Sequence, residues 1–196
     1  SSLIMISIPI RFTKESIGIE MKTTVIDNED DSISLCIFGY RFDVGKNVPV
    51  NKEEAVKYYK LAADKGNADA MYNYAIMLKE GDGVATNKEE AFKYFKMDAD
   101  KGNADAMNNY AIMLKKGDSV TANKEEALKY FKMAADKGNA TAMNSYAIML
   151  DNGIGVAVNK EEAVKYYIMA ADKGKATAMY NYAIMLKNGI GVVANK

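Results

Sequence analysis

Histidine is absent from this chain of 196 residues, and Cys36 is its only cysteine. Without histidine the chain has no imidazole for general acid–base catalysis and lacks a common zinc ligand, and one cysteine cannot build a disulfide framework. We therefore predict a protein that is not an enzyme and that needs no metal or other cofactor.

Net charge and long apolar runs are missing as well. Lys plus Arg and Asp plus Glu number 26 each, so no overall positive field favours phosphates, and we expect no nucleic-acid partner. The apolar run from Leu3 to Ile10 is much shorter than a membrane span, contains Pro9 and lacks the basic flank of a signal peptide. We expect no direct membrane insertion and a soluble, cytoplasmic protein.

What the chain does contain is one pentapeptide repeated at a fixed interval. The whole chain is 49% hydrophobic and 27% charged, which is the balance of a globular protein with a core. Successive copies of the pentapeptide are 36 residues apart, a spacing typical of helical repeats. The sequence NKEEA occupies residues 51–55, 87–91, 123–127 and 159–163, and a fifth copy begins at Asn195.

Capping residues predict two helices in every unit. One helix, named B, begins at Asn51, where Glu54 has the capping-box spacing, and ends before Gly66. The other helix, named A, begins at Asn67 and ends before Gly81. The predicted helices B span 51–65, 87–101, 123–137 and 159–173, and the predicted helices A span 67–80, 103–116, 139–152 and 175–188, after a degenerate helix A at 30–44.

Each predicted helix has one apolar side that it cannot bury alone. Charged residues cover the other side, where Glu53 and Lys57 have the spacing of an i to i+4 ion pair. Stacking of successive helix pairs buries the apolar sides together. We predict an all-α, right-handed α-solenoid of antiparallel helix pairs with a 36-residue period. The apolar sides hold Ala55, Tyr58, Tyr59, Ala62 and Ala63 in the first helix B, and Met71, Tyr74, Ala75 and Leu78 in the next helix A.

The loop between helix A and helix B has its own pattern, which points to a family. It reads GDGV at 81–84 and GIGV at 153–156 and 189–192, and each helix B has a lysine, alanine and aromatic body. From about Asp30 to Lys196 the chain resembles the Sel-one-like repeat (SLR) family, whose solenoids are similar to tetratricopeptide repeats. The resemblance implies helices A along a concave side and adaptor roles in signalling, membrane-protein quality control or host–microbe contact.

Several positions depart from the pattern. The first copy is degenerate, with Asn47 where the later Gly83 stands, and Ser119 replaces the second loop glycine of another copy. If that glycine position needs a positive φ, serine costs on the order of 1 kcal/mol there. Residues 1–29 match no copy, so we divide the chain into an unassigned N-terminal segment, 1–29, and a solenoid, 30–196.

The last residues, Asn195 and Lys196, would cap a further helix B, so we expect a fragment of a longer repeat protein. Solenoids need a polar terminal cap. We expect helix A at 175–188 to show Met179, Tyr182 and Leu186 to water, and self-association through this end.

The side of helices A opposite the core is the predicted binding site for a protein or peptide partner. Asparagine can both donate to and accept from a peptide backbone, and tyrosine adds aromatic anchors. In the competing interpretation Asn73, Asn109 and Asn181 bridge neighbouring helices, and the methionines, tyrosines and isoleucines are core. The four predicted rows are Asp69, Tyr72, Asn73 and Ile76; Asp105, Asn108, Asn109 and Ile112; Thr141, Asn144, Ser145 and Ile148; and Thr177, Tyr180, Asn181 and Ile184.

Catalytic interpretations are weaker. The loop from Gly153 lacks the third glycine and the lysine of phosphate-binding loops. Asp98 stands where other copies have alanine, but it lacks a histidine partner, and we expect it to reach water near the helix end. We predict a protein–protein interaction scaffold or adaptor. Two alternatives are a structural spacer and an accessory region of an enzyme whose catalytic part lies outside this sequence.

Overall fold

The computed structural model describes residues 31–190, and every regular element in that range is an α-helix. The unassigned segment 1–29 and the residues from 191 onward lie outside the described part. The helices are α1 Asp31–Val44, α2 Lys52–Asp64, α3 Ala68–Glu80, α4 Lys88–Asp100, α5 Ala104–Lys116, α6 Lys124–Asp136, α7 Ala140–Asn152, α8 Lys160–Asp172 and α9 Ala176–Lys187.

The helices form a linear stack in which each one packs mainly against its neighbours in the chain. The even-numbered helices are helices B and the odd-numbered ones are helices A. One continuous apolar core runs along the stack between them. The predicted all-α solenoid is confirmed. The observed helices are one residue shorter than the predicted ranges at one or both ends. In most units the first residue of the range is an asparagine that caps the helix from outside it.

The repeated pentapeptide forms both a helix cap and a contact with the preceding helix A. The Asn87 side-chain oxygen accepts from the Glu90 backbone N–H at 3.1 Å, and its amide donates to the Glu90 carboxylate at 3.0 Å. The other oxygen of Glu90 accepts from the Tyr74 hydroxyl at 3.1 Å. The fourth residue of NKEEA therefore joins helix B to helix A. Equivalent bonds link Glu126 to Asn123 and Tyr110, and Glu162 to Asn159 and Tyr146.

Helices B are joined to one another by a second tyrosine. The Tyr94 hydroxyl donates to Asp64 of the preceding helix B at 2.6 Å, and the Tyr94 ring meets Tyr74 edge-on with centroids 4.9 Å apart. Such edge-on pairs add about 0.5–1.5 kcal/mol beyond burial. Since the same two tyrosines recur in the next two units, the joints are built alike. The repeated pairs are Tyr110 with Tyr130 and Tyr146 with Tyr166, each with centroids 4.7 Å apart.

The loop after helix A packs against the start of the preceding helix B. Gly83 has φ +71°, and a Cβ added there would lie 2.4 Å from the carbonyl carbon of Lys52. Only glycine fits this position without strain. Ser119 and Asn47, at the equivalent positions, have φ +67° and +65°. The positive φ on which the predicted cost of Ser119 depends is therefore present.

Two surface expectations are revised by the structure. Lys57 pairs with Glu54 at 2.5 Å, and not with Glu53 as predicted. In the next unit the residue equivalent to Glu54 is Glu90, which binds the Tyr74 hydroxyl. Glu54 is free to pair with Lys57 because Phe38, which has no hydroxyl, is in register with Tyr74. On α9, Met179 and Leu186 are exposed as expected. Tyr182 is half-buried against the core.

Candidate protein-binding face

The sixteen predicted residues lie on one side of α3, α5, α7 and α9, and we name this side the A face. Its accessibility is uneven, because neighbouring helices A shield one another. Five of the residues are exposed, namely Asp69, Asp105, Thr177, Tyr180 and Ile184. Nine are half-buried, namely Tyr72, Asn73, Ile76, Asn109, Ile112, Thr141, Ser145, Ile148 and Asn181.

The remaining two, Asn108 and Asn144, are buried, and here the predicted face is wrong. Each retains only 7% of its accessible surface. At the equivalent position of α9, the last described helix, Tyr180 is 68% exposed. Asn108 and Asn144 therefore belong to the interior of the stack, and they are not available to a partner.

Two of the predicted contact residues bridge helices A, as in the competing interpretation. The Asn109 amide lies 3.4 Å from the Tyr72 hydroxyl and donates to the Asp105 carbonyl at 3.0 Å. The Asn181 amide donates to the Asn144 side-chain oxygen at 3.2 Å. The side chain of Asn73, in contrast, makes no hydrogen bond with any described residue, so its amide is available to a ligand.

An apolar line follows the length of the A face. It is formed by one isoleucine per unit: the first three are half-buried against the core, and Ile184 at the C-terminal end is 39% exposed. Because the line recurs in register with the helices, a partner that lies across successive helices A would contact each isoleucine in turn. The line consists of Ile76, Ile112, Ile148 and Ile184.

At its N-terminal end the A face continues onto α1, which carries none of the predicted site residues. Ile37 and Tyr40 are both 48% exposed, and they line a shallow depression with residues of α3 and the start of α5. A shift of 36 residues places Ile37 in register with Asn73, and Tyr40 in register with Ile76. The repeat register could therefore have identified these residues, although the surrounding sequence is degenerate.

Beneath this end lies Asp98, which the structure places in the interior instead of in contact with water. Its exposure is 0%, because the helix end where it was expected to escape is covered by α5. The Asn103 amide donates to Oδ2 at 2.7 Å, and Oδ1 has no hydrogen-bond partner among the described residues. Burial raises the pKa of Asp98 to about 6, Asn103 opposes the rise, and Asp69 adds to it.

Other kinds of site find no support in residues 31–190. No group of three or more acidic or cysteine side chains in that part of the chain could hold a metal ion. None of its helices is long and apolar enough to cross a membrane.

The repeated helix pairs, their shared core and the open A face define an α-helical repeat protein. The Sel1 repeat model matches residues 34–67, 68–103, 104–139, 140–175 and 176–196. The chain therefore belongs to the Sel1 repeat family, in agreement with the resemblance seen in the sequence. Proteins of this family are generally protein-interaction scaffolds and are typically not catalytic.

Solved structures show the same architecture. The protein c5321, a protective antigen present in uropathogenic Escherichia coli strains and displaying an SLR fold, is 30% identical with a TM-score of 0.81. The match covers 84% of this chain and 35% of c5321, so the chain spans about a third of that protein. A Sel1 repeat protein from Oxalobacter formigenes is 30% identical with a TM-score of 0.79, over 84% of this chain and 68% of that one. No curated protein matches.

A more distant likeness extends to the fold alone. Cysteine rich protein B of Helicobacter pylori is 19% identical with a TM-score of 0.54, over 69% of this chain and 97% of that chain.

Proposed function

We propose that the A face binds a segment of a partner protein, either extended or helical, and that the chain is a non-enzymatic scaffold. The observation that carries this proposal is the isoleucine line, which is half-open to solvent and is bordered by polar groups such as Asn73. Apolar contacts of this kind supply affinity, and amides beside them select the backbone position of a bound segment.

The spacing of the helices suits an extended peptide. Packed helices lie about 8–10 Å apart, and an extended chain rises about 3.3 Å per residue. Each helix A packs mainly against helices B, so this distance is a lower limit for the separation of successive isoleucines. An extended segment that reaches all four isoleucines therefore needs at least about eight residues. Among the accessible positions, Asp69 and Asp105 are replaced by Thr141 and Thr177 in the later units, so the units offer different polar groups to a partner.

The test is selection of a random dodecapeptide library on the immobilised chain, followed by affinity measurements with the enriched peptides. The blocked variant is Asn73→Arg with Ser145→Arg. Both residues are half-buried on the A face, their side chains make no hydrogen bond with described residues, and arginine is compatible with a helix. The matched control is Met97→Arg with Met133→Arg, which adds the same charge at exposed positions of helices B.

We expect the enriched peptides to bind the parent chain and the control with similar affinity, and the blocked variant at least tenfold more weakly. Melting curves check that the variants are equally folded. If no peptide is enriched, or if both variants bind as the parent does, the A face is not the binding site and the structural-spacer alternative is favoured.

A further inference from the structure

The N-terminal end of the A face differs from the rest in the chemistry of its walls. The depression between α1, α3 and α5 is lined by two tyrosines, Tyr40 and Tyr72, together with two aspartates, Asp69 and Asp105. Its volume, about 400 Å³, is large enough for one long side chain of a partner. The depression therefore combines aromatic surfaces with carboxylates in one place.

The two carboxylates at its rim are exposed and lack a cationic partner. Neither Asp69 nor Asp105 has a lysine or arginine nitrogen of the described residues within 4.0 Å. Asp105 accepts one hydrogen bond, from the Asn139 amide at 2.7 Å, and no described side chain donates to Asp69. Both groups thus have acceptor capacity left for a ligand.

A third carboxylate lies behind the wall of the same depression. Asn103 lines the depression, and its amide is hydrogen-bonded to the buried Asp98. Oδ1 of Asp98 has no partner in the described part of the chain, and Asp69 and Asp105 both act on this group electrostatically. Lys101 is the cation that offsets them. Asp98 occurs in this unit alone, so it adds negative charge at this end only.

The opposite end of the A face lacks the two unpaired aspartates. Thr141 and Thr177 stand in place of the two aspartates, and Lys175 replaces the capping asparagine of α9. The Lys175 amine lies 3.0 Å from the Thr141 hydroxyl. Asp151 lines a depression at this end, but it is paired with Lys160 at 2.7 Å. A cationic group of a ligand is therefore attracted more strongly to the α1–α3–α5 end than to the α9 end.

We propose that the depression between α1, α3 and α5 is a specificity pocket for a basic side chain, arginine in preference to lysine, of the partner segment. This inference rests on the proposed function of the A face. A guanidinium group can bind a carboxylate through two parallel hydrogen bonds while its plane stacks on a tyrosine ring, and an ammonium group cannot do both. The pocket orients the partner, since the basic residue marks the end that lies over α1.

The experiment uses the dodecapeptides selected on the whole chain. In each enriched peptide every arginine is replaced in turn by citrulline, which has the same shape and no charge. On the protein side the variant is Asp69→Asn with Asp105→Asn, and the matched control is Glu89→Gln with Glu125→Gln, which removes two exposed carboxylates from helices B. The peptide substitution leaves the fold of the protein untouched, so its result holds even if the aspartate variant melts lower.

We expect one arginine per peptide whose replacement weakens binding about tenfold, with a similar loss in the aspartate variant and none in the control. In the aspartate variant the citrulline peptide should bind no more weakly than the arginine peptide. One outcome disproves the pocket but not the A-face proposal: peptides that lose affinity for the Asn73→Arg with Ser145→Arg variant bind the parent chain equally well with arginine or citrulline. Equal losses in the aspartate variant and the control also disprove it, because they indicate only long-range charge. Absence of any peptide sensitive to the blocked variant disproves both proposals.

Discussion

Replacing Asp98 by alanine should stabilise the solenoid. The equivalent residues of the other units, Ala62, Ala134 and Ala170, are fully buried, so alanine fits the position without loss of packing. Asp98 is also fully buried, and one of its oxygens is unpartnered within the described part of the molecule. When the chain folds, this carboxylate must either take up a proton or lose its hydration, and each of these costs free energy.

The rise in pKa gives the magnitude. Burial raises the pKa of Asp98 from 3.8 to about 6, which at 1.36 kcal/mol per pH unit corresponds to about 3 kcal/mol of destabilisation above pH 6. The variant also loses the bond from Asn103, which is worth about 1 kcal/mol. At pH 8 we therefore expect Asp98→Ala to raise the free energy of unfolding by about 1–3 kcal/mol.

The gain should depend on pH with a definite sign. Because the folded-state pKa is the higher one, folding favours the protonated acid, and the destabilisation disappears as pH falls from 6 toward 3.8. At pH 5 the advantage of alanine should be about 1 kcal/mol smaller than at pH 8. Charged groups that act on Asp98 are Asp69, Lys101 and Asp105, and the variant leaves all three in place.

Urea unfolding followed by far-UV circular dichroism at pH 8 and pH 5 measures both effects. The matched reverse substitution is Ala134→Asp, which should destabilise by a similar amount at pH 8 and less at pH 5. If Asp98→Ala is no more stable than the parent at pH 8, or if its gain is the same at both pH values, the buried-carboxylate argument is refuted.

Two further predictions concern the joints between units. Ser119→Gly should raise the free energy of unfolding by about 1 kcal/mol, because serine at φ +67° is strained. Gly83→Ala should lower it by more, because the new Cβ meets the Lys52 backbone. The urea midpoints of the two variants must therefore shift in opposite directions from that of the parent. Tyr110→Phe should cost about 1 kcal/mol by removing the 3.1 Å bond to Glu126, and an unchanged midpoint would show that this bond contributes nothing.

Local signals explain why so much of the fold could be predicted. The caps at Asn51 and Asn67 and the glycines that end the helices act within four residues, so their effect can be identified from the chain directly. Repetition then adds the long-range information, since identical apolar sides spaced by 36 residues can be buried only by stacking.

The candidate site was less predictable because it depends on the neighbours of each helix. The helical period places Asn108 and Tyr180 on the same side of their helices, yet one is buried and the other is exposed. Side-chain length and the presence of a following helix decide between these outcomes, and neither is encoded in the period. The contribution of α1 was missed for a different reason, since its copy of the repeat is degenerate.

The sequence by itself determined the order of the helices within residues 31–190 and their apolar sides, because both follow from local geometry and periodicity. The structure then showed that the loop positions adopt the positive φ. Only the tertiary structure decided that Asp98 is buried, that Asn109 and Asn181 bridge helices A, and that two aspartates and two tyrosines meet in one depression. The bridges and the depression depend on distances between residues about one repeat apart in the chain, and these distances are set only when the helices pack.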